Sequence, residues 1–356
     1  MKQLRVAIIG QGRSGWGIHG EYLAANKDRY IVVAVVDMIE KRRMLAKERY
    51  GNDILTFDDY RKLFGLDLDL VVNSSYSHMH YPITMDLLEH GYNVLCEKPF
   101  ARTQSEVQNI IDHAVKCKRE VMVFQNSRYS SYFRKIKEVI DSGCLGDLIQ
   151  ISMDFSRYER RWDWQTLQSY NGGNLYNSGP HPMDQAVVLY GDGYPNIKAF
   201  MNRANTYGDA EDYVKVVMWG ENKPVIDLEV TSCQGYKPYT YNIQGSRGAL
   251  NGSMTHIDWK YFIPEECEKQ ELKISFDKPG SHIPAYCSEN IQWHEFSWDE
   301  PDPGNLFNIM TAGYYEMMYE HLTQGRKMMV TLEEVRKQIA IIEECHRQNP
   351  MSRIEF

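Results

Sequence analysis

The sequence predicts an α/β fold that opens with a doubly wound parallel sheet. Three observations carry that expectation. Apolar runs alternate with helical stretches through the first third of the chain. Those runs are continuous, the pattern of strands covered by helices on both faces. A glycine-rich turn joins the first strand to the first helix. The 356 residues exceed what one core supports, so two domains are expected, 1–125 and 126–356.

LRVAIIG (4–10) reads as a buried strand, followed by the turn GQGRSG and a helix through Ala25. YIVVAVVD is a second strand ending at Asp37, and a basic helix from Glu40 to Tyr50 stops at Gly51. LDLVVNSS, near residues 66–74, and YNVLCEK (92–98) are further strands, with a helix from about Pro82 to His90 between them. Thr103 and Glu106 form a capping box, and Val107, Ile110, Ile111, Ala114 and Val115 mark the core face of the helix it opens.

Composition narrows the functional classes. The chain is 43% hydrophobic and 25% charged, ordinary for a soluble globular protein. A net charge of −8 leaves little to attract a nucleic acid backbone. No apolar run spans a bilayer, and MKQLRVAIIG enters a strand pattern without signal-peptide architecture, so a cytoplasmic location is expected. The seven cysteines (96, 117, 144, 233, 267, 287 and 345) form no C-x-x-C pair and read as reduced thiols. No metal-ligand cluster is read from the spacing.

The turn Gly10-Gln11-Gly12-Arg13-Ser14-Gly15 follows a strand and opens a helix, and Asp37 closes the next strand 22 positions after Gly15. In that context G-x-G-x-x-G has a dinucleotide-binding logic. Gly10 permits the tight turn, Gly12 lets the backbone approach a pyrophosphate, and Gly15 lets helix and strand pack closely. Asp37 is placed to accept ribose hydroxyls and to repel a 2′-phosphate, favouring NAD over NADP; nearby Arg42 and Arg43 soften that preference. Lys98, in Glu97-Lys98-Pro99, ends a buried run and points toward the crevice at the strands' carboxyl ends.

GQGRSG, VVD, VVNSSYSHMHY, VLCEKPFA, VMVFQNSRY and GGNLYNSGPHPMD, in this order, resemble the Gfo/Idh/MocA oxidoreductases, the glucose-fructose oxidoreductase and inositol dehydrogenase group. The resemblance covers most of residues 1–250. It implies a Rossmann domain followed by an α/β domain built on a large, mostly antiparallel open sheet. It also implies NAD(P)-linked chemistry at a carbinol carbon of a sugar or cyclitol, in a homodimer or homotetramer assembled through the open sheet face. The second half fits: a helix over 131–143, a strand from 148, two strands within 212–233, and a capping box at Thr331 opening a last helix (331–348) placed to pack back on the first domain. The segment 264–304 is left as a long excursion or an oligomer contact.

His181 stands between Pro180 and Pro182, with Gly172, Gly173 and Gly179 upstream, and those glycines suggest close approach of a ligand. A lone histidine is more often structural than catalytic; the resemblance makes this one the base, and an imidazole near its ordinary pKa suits proton transfer at neutral pH. The resemblance makes Lys98 its partner, stabilising alkoxide charge, and puts an aspartate where this chain has Asn177, which orients a hydroxyl but takes no proton. Asp184 is given a structural role ahead of orienting the ring. On the cofactor side the expected contacts are Gly10, Gly12, Arg13, Ser14, Gly15, Asp37, Ser75, Tyr76, His80, Glu97, Lys98 and Asn126. On the substrate side they are Lys98, Arg128, Arg157, Tyr158, Trp162, Trp164, Asn177 and His181, the aromatics for sugar C–H faces and the arginines for hydroxyls or a carboxylate. For Arg128 the alternative is an interdomain ion pair. Two other functions remain open: redox-neutral glycoside cleavage through transient oxidation, and a non-catalytic NAD/sugar sensor.

Overall fold

A computed structural model describes residues 2–354 apart from 237, 238, 276, 278, 279, 281 and 282. Its first sheet is built from β1 (Leu4–Ile9), β2 (Tyr30–Val36), β3 (Leu55–Phe57), β4 (Leu70–Asn73), β5 (Val94–Cys96) and β6 (Val121–Val123). All pairings are parallel, in the order β3-β2-β1-β4-β5-β6. Parallel neighbours need crossovers, supplied by α1 (Gly20–Ala25), α2 (Glu40–Tyr50), α3 (His80–Glu89) and α4 (Gln104–Cys117). A π-helical turn, Gly15–His19, leads into α1. The capping box at Thr103 is present and fixes the start of α4.

The strand order reverses between β1 and β4, which opens a crevice at the carboxyl ends of the sheet. The last residues before those ends, Ile8, Ile9, Val35, Val71, Val72 and Leu95, are buried, so the strands are held rigidly beneath the crevice.

The second sheet comprises β7 (Leu148–Asp154), β8 (Asn196–Asn202), β9 (Tyr213–Trp219), β10 (Val225–Thr231), β11 (Tyr241–Gly245), β12 (Gly248–Gly252), β13 (His256–Tyr261) and β14 (His294–Asp299). Its order is β14-β13-β12-β11-β7-β10-β9-β8, antiparallel except where β7 meets β10. The helices of this half are α5 (Ser131–Asp141), α6 (Asn174–Asn177), α7 (Pro180–Tyr190), α8 (Leu306–Gln324) and α9 (Leu332–Gln348). The 264–304 segment, expected as a long excursion or an oligomer contact, contains the edge strand β14; residues 276, 278, 279, 281 and 282 of it lie outside the described residues.

One buried apolar cluster runs through both halves. Tyr314 and Tyr315 of α8 are fully buried, with Tyr315 against Tyr30 of β2 and both against Phe124. Helix α9 lies between the halves: Glu343 accepts the Gln104 N–H at the start of α4 (2.8 Å), and Gln348 donates to Ile197 O of β8 (2.9 Å). Among the described residues no helix is long and apolar enough to cross a membrane.

Candidate active site

The glycine turn has the three geometries its spacing requires. Gly10 adopts φ +85°, and a Cβ there would lie 2.3 Å from Ser74 O. A Cβ on Gly15 would lie 1.8 Å from Gly10 O, so only glycine lets the helix close onto the turn. A Cβ on Gly12 would meet nothing within 4 Å, because this residue faces a cavity. That cavity, about 740 Å³, extends from Asp37 at one end to Lys98 and His181 at the other.

Asp37 is buried, and its carboxylate accepts the N–H groups of Gln11 (2.7 Å) and Ile39 (2.8 Å). Arg42 approaches the same carboxylate at 3.4 Å, while Arg43 turns away to the Asp37 and Met38 carbonyls. Arg13, Ser14, Ser75, Tyr76, His80, Glu97 and Asn126 line the cavity with it. The Asn126 Nδ2 is buried without a hydrogen-bond partner among the described residues. A glycine cradle open to the cavity, a carboxylate past the second strand and this orphaned donor fit a dinucleotide. His80 is less free: Nδ1 lies 2.7 Å from Pro99 O and Nε2 3.1 Å from Ser75 O, which ties two cavity loops together.

Glu97 and Lys98 emerge from β5. Glu97 is buried, taking hydrogen bonds from Ser14 Oγ, from the Lys98 N–H (3.0 Å) and from His19 Nε2 (3.2 Å). The Tyr315 hydroxyl from α8 bonds His19 Nδ1 at 2.7 Å, leaving the Nε2 proton for Glu97. Burial alone would push the Glu97 carboxyl up; the His19 hydrogen bond and the nearby charges outweigh it and hold it below the usual carboxylate range. Lys98 Nζ donates to Asn177 O at 2.8 Å, and burial, opposed by Glu97 and assisted by Arg13 and Arg161, holds its pKa below the usual lysine value.

His181 is the second residue of α7. Pro180 occupies the first position, where a missing N–H costs nothing. The Pro180 carbonyl accepts from Gln125 (3.4 Å) and Gln338, which fixes the helix start below the cavity. Burial, then the charge of Lys98, lowers the imidazole to about 3, so the ring is neutral at neutral pH and not close to its ordinary value as the sequence suggested. Its place at a helix N-terminus also disfavours the cation. The Nδ1 atom is buried without a partner among the described residues.

Asp184 does not orient that ring. It is fully buried and pairs in a two-pronged bridge with Arg128 (2.7 and 2.8 Å), which also reaches Glu334 of α9 at 2.8 Å. Arg128 is therefore a structural tie and not a substrate contact, since its guanidinium is committed and lies outside the cavity wall. The glycines before His181 also need a different reason. A Cβ on Gly172 would lie 2.4 Å from Gln165 O, on Gly173 (φ +105°) 2.3 Å from the Glu211 carboxylate, and on Gly179 2.6 Å from Leu175 O. They admit the protein's own groups, not a ligand.

Of the residues expected on the substrate side, Trp164 and Asn177 line the cavity with Lys98 and His181, Trp164 with its ring 5.0 Å from Tyr76. Arg157 is exposed beside Glu159, Tyr158 is exposed and bridges Cys233, and Trp162 is 76% exposed against Tyr207. None of the three lines the cavity. In their place stand Arg161, Asp163 and Gln165, with Arg161 bonded to Asp163 (2.8 Å) and Gln165. The dense run ERRWDWQ signalled this wall, but an irregular loop gives no period from which to choose its inward members. A further group away from the cavity, Glu89, His113 and Cys117, comes together without having been expected from the spacing.

Both halves match known family models. Residues 4–125 match an oxidoreductase family with an NAD-binding Rossmann fold, and residues 133–251 match a GFO/IDH/MocA C-terminal domain. The chain is 30% identical to D-glucoside 3-dehydrogenase of Escherichia coli, over 80% of its own length and 78% of the relative's. It is 26% identical to scyllo-inositol 2-dehydrogenase (NADP(+)) IolW of Bacillus subtilis, over 96% and 92%. Its fold is similar to the WlbA dehydrogenase of Bordetella pertussis, solved with NADH and UDP-GlcNAcA, with a TM-score of 0.77, 17% identity and 98% and 95% coverage. The parallel sheet with its open glycine turn, the large second sheet and these two family matches together make the chain a member of the Gfo/Idh/MocA oxidoreductases.

Proposed function

We propose that this oxidoreductase moves a hydride between a nicotinamide and a secondary alcohol carbon of a sugar, glycoside or cyclitol, with His181 exchanging the hydroxyl proton. One observation carries the reading: a single cavity joins the glycine turn and Asp37 to Lys98, Asn177 and His181. The cofactor supplies the hydride acceptor when bound. Gly12, Arg13 and Ser14 would hold its pyrophosphate, Asp37 its ribose, and Asn126 a polar group at the far end. Asp37 favours NAD, because its carboxylate already has two N–H donors and would meet a 2′-phosphate with like charge.

The neutral imidazole of His181 accepts the hydroxyl proton as the C–H bond breaks, as a weaker base than an ordinary imidazole. The Lys98 ammonium stabilises the charge that builds on that oxygen, strongly so in a site shielded from water. Asn177 orients a neighbouring hydroxyl, and Trp164 offers an apolar face to the ring. Alternating burial along β7, β9 and β10 leaves one face of the large sheet less covered, and we take this face to join copies into a homodimer or homotetramer.

The test is NADH formation from NAD with a panel of cyclitols, free sugars and glycosides. NADH with one substrate class supports a net dehydrogenase. Loss of a leaving group without NADH would replace it by redox-neutral cleavage, and binding without any conversion would replace it by a sensor.

A further inference from the structure

The third α/β unit of the first sheet brings together three metal-ligating side chains that the active site does not use. His113 and Cys117 are four residues apart on α4, hence on one helix face. Glu89 is the last residue of α3, which packs beside α4. The three ligand atoms lie within 4.8 Å of one another. His113 Nε2 is 2.8 Å from Glu89 Oε2, and Cys117 Sγ is 3.9 Å from the same oxygen.

Two features ask for a cation here. First, His113 Nε2 is buried and, despite its closeness to the carboxylate, makes no hydrogen bond of acceptable angle among the described residues. A proton on Nε2 would make this contact an ordinary ion pair, but the angle is poor for one. With the ring proton on Nδ1 instead, the Nε2 lone pair faces the carboxylate oxygen, an arrangement that a cation between them relieves. Second, Glu89 and Cys117 are the final residues of their helices, so the negative ends of two helix dipoles converge on the same point.

We propose that Glu89, His113 and Cys117 bind a zinc ion between the C-terminal ends of α3 and α4. The donor set decides the metal. A thiolate and an imidazole disfavour magnesium and calcium, which want oxygen ligands. One sulfur, one nitrogen and one oxygen with a water in the fourth position suit tetrahedral zinc. Bond lengths of about 2.0–2.3 Å would spread the carboxylate and imidazole slightly and draw Cys117 inward. Binding replaces the Cys117 thiol proton, which passes to solvent as the S–Zn bond forms. The ion would pin α3 to α4 on either side of β5, away from the residues that line the cavity.

The test uses the full chain, stripped with a chelator and then titrated with zinc chloride alone. Proton release is followed in weak buffer, and alkylation of each cysteine by peptide mass spectrometry. The expected result is one zinc per chain, protection of Cys117 with exposed Cys287 alkylated as before, loss of zinc binding in Cys117→Ser, and loss of both zinc binding and Cys117 protection in His113→Ala. Glu89→Gln should weaken binding by about tenfold or more while leaving Cys117 in place. Alkylation of Cys117 at an unchanged rate in excess zinc would overturn the proposal. So would zinc binding that persists in His113→Ala, or equal protection by magnesium.

Discussion

Two glycine-rich segments shape the active site, and they do opposite things. In Gly10–Gly15 the middle glycine has empty space where a side chain would be, and that space is the cavity. In Gly172–Gly179 every such position is already filled by Gln165, Glu211 or Leu175. The first segment leaves room for a guest; the second lets the chain fold tightly enough to set His181 at the start of α7. A glycine count cannot separate these uses, whereas the atom that a Cβ would meet can.

The largest expected effect breaks the second segment's output. His181→Ala should lower kcat by about 10²–10⁴-fold with NAD affinity nearly unchanged, measured by steady-state kinetics and cofactor titration. Unaltered turnover would remove the base from the scheme. Next comes the direct contrast between the glycines. Gly12→Ala should weaken NAD binding by about tenfold, or about 1.4 kcal/mol, while leaving the denaturation midpoint in place. Gly173→Ala should instead cost about 1–3 kcal/mol of stability, through positive φ and the clash with Glu211, when unfolding is followed in urea. If the two variants behave alike, the contrast fails.

A subtler test concerns protons. With His181 lowered to about 3, activity for alcohol oxidation should show no acid limb near the ordinary histidine value of 6.5. It should fall on the alkaline side as Lys98 loses its proton, below the usual 10.5. Asn177→Asp adds a negative charge to the cavity wall that His181 shares, favours the imidazolium, and should move the acid limb upward. The smallest effect is expected from Trp162→Ala, within about twofold in KM, because that ring is mostly in solvent and off the cavity.

What the sequence made legible was local. Continuous apolar runs located β1, β2, β4 and β5, and the capping boxes at Thr103 and Thr331 located two helix starts. The roles of Gly10, Gly12 and Gly15 follow from a motif whose geometry is nearly self-contained. What was not legible depended on distant partners. Arg128 meets Glu334 across 206 positions, and Gly173 is explained only by Glu211. Strand β3 has three residues, too few to show a period. His181's low pKa needed its burial, and no pattern along the chain reports burial at one helix turn. The His113 and Cys117 spacing was visible, but Glu89 joins them only through packing of α3 on α4.

The hydrogen bond from Tyr315 to His19, and through it to Glu97, has a consequence for taking the molecule apart. A cofactor half cut at residue 125 would lose the hydroxyl that holds His19 and the tyrosines that cover Tyr30 and Phe124. Chimeras that graft this nucleotide-binding half onto another substrate sheet must therefore bring the α8 and α9 helices with it, so the workable unit of exchange is discontinuous in sequence.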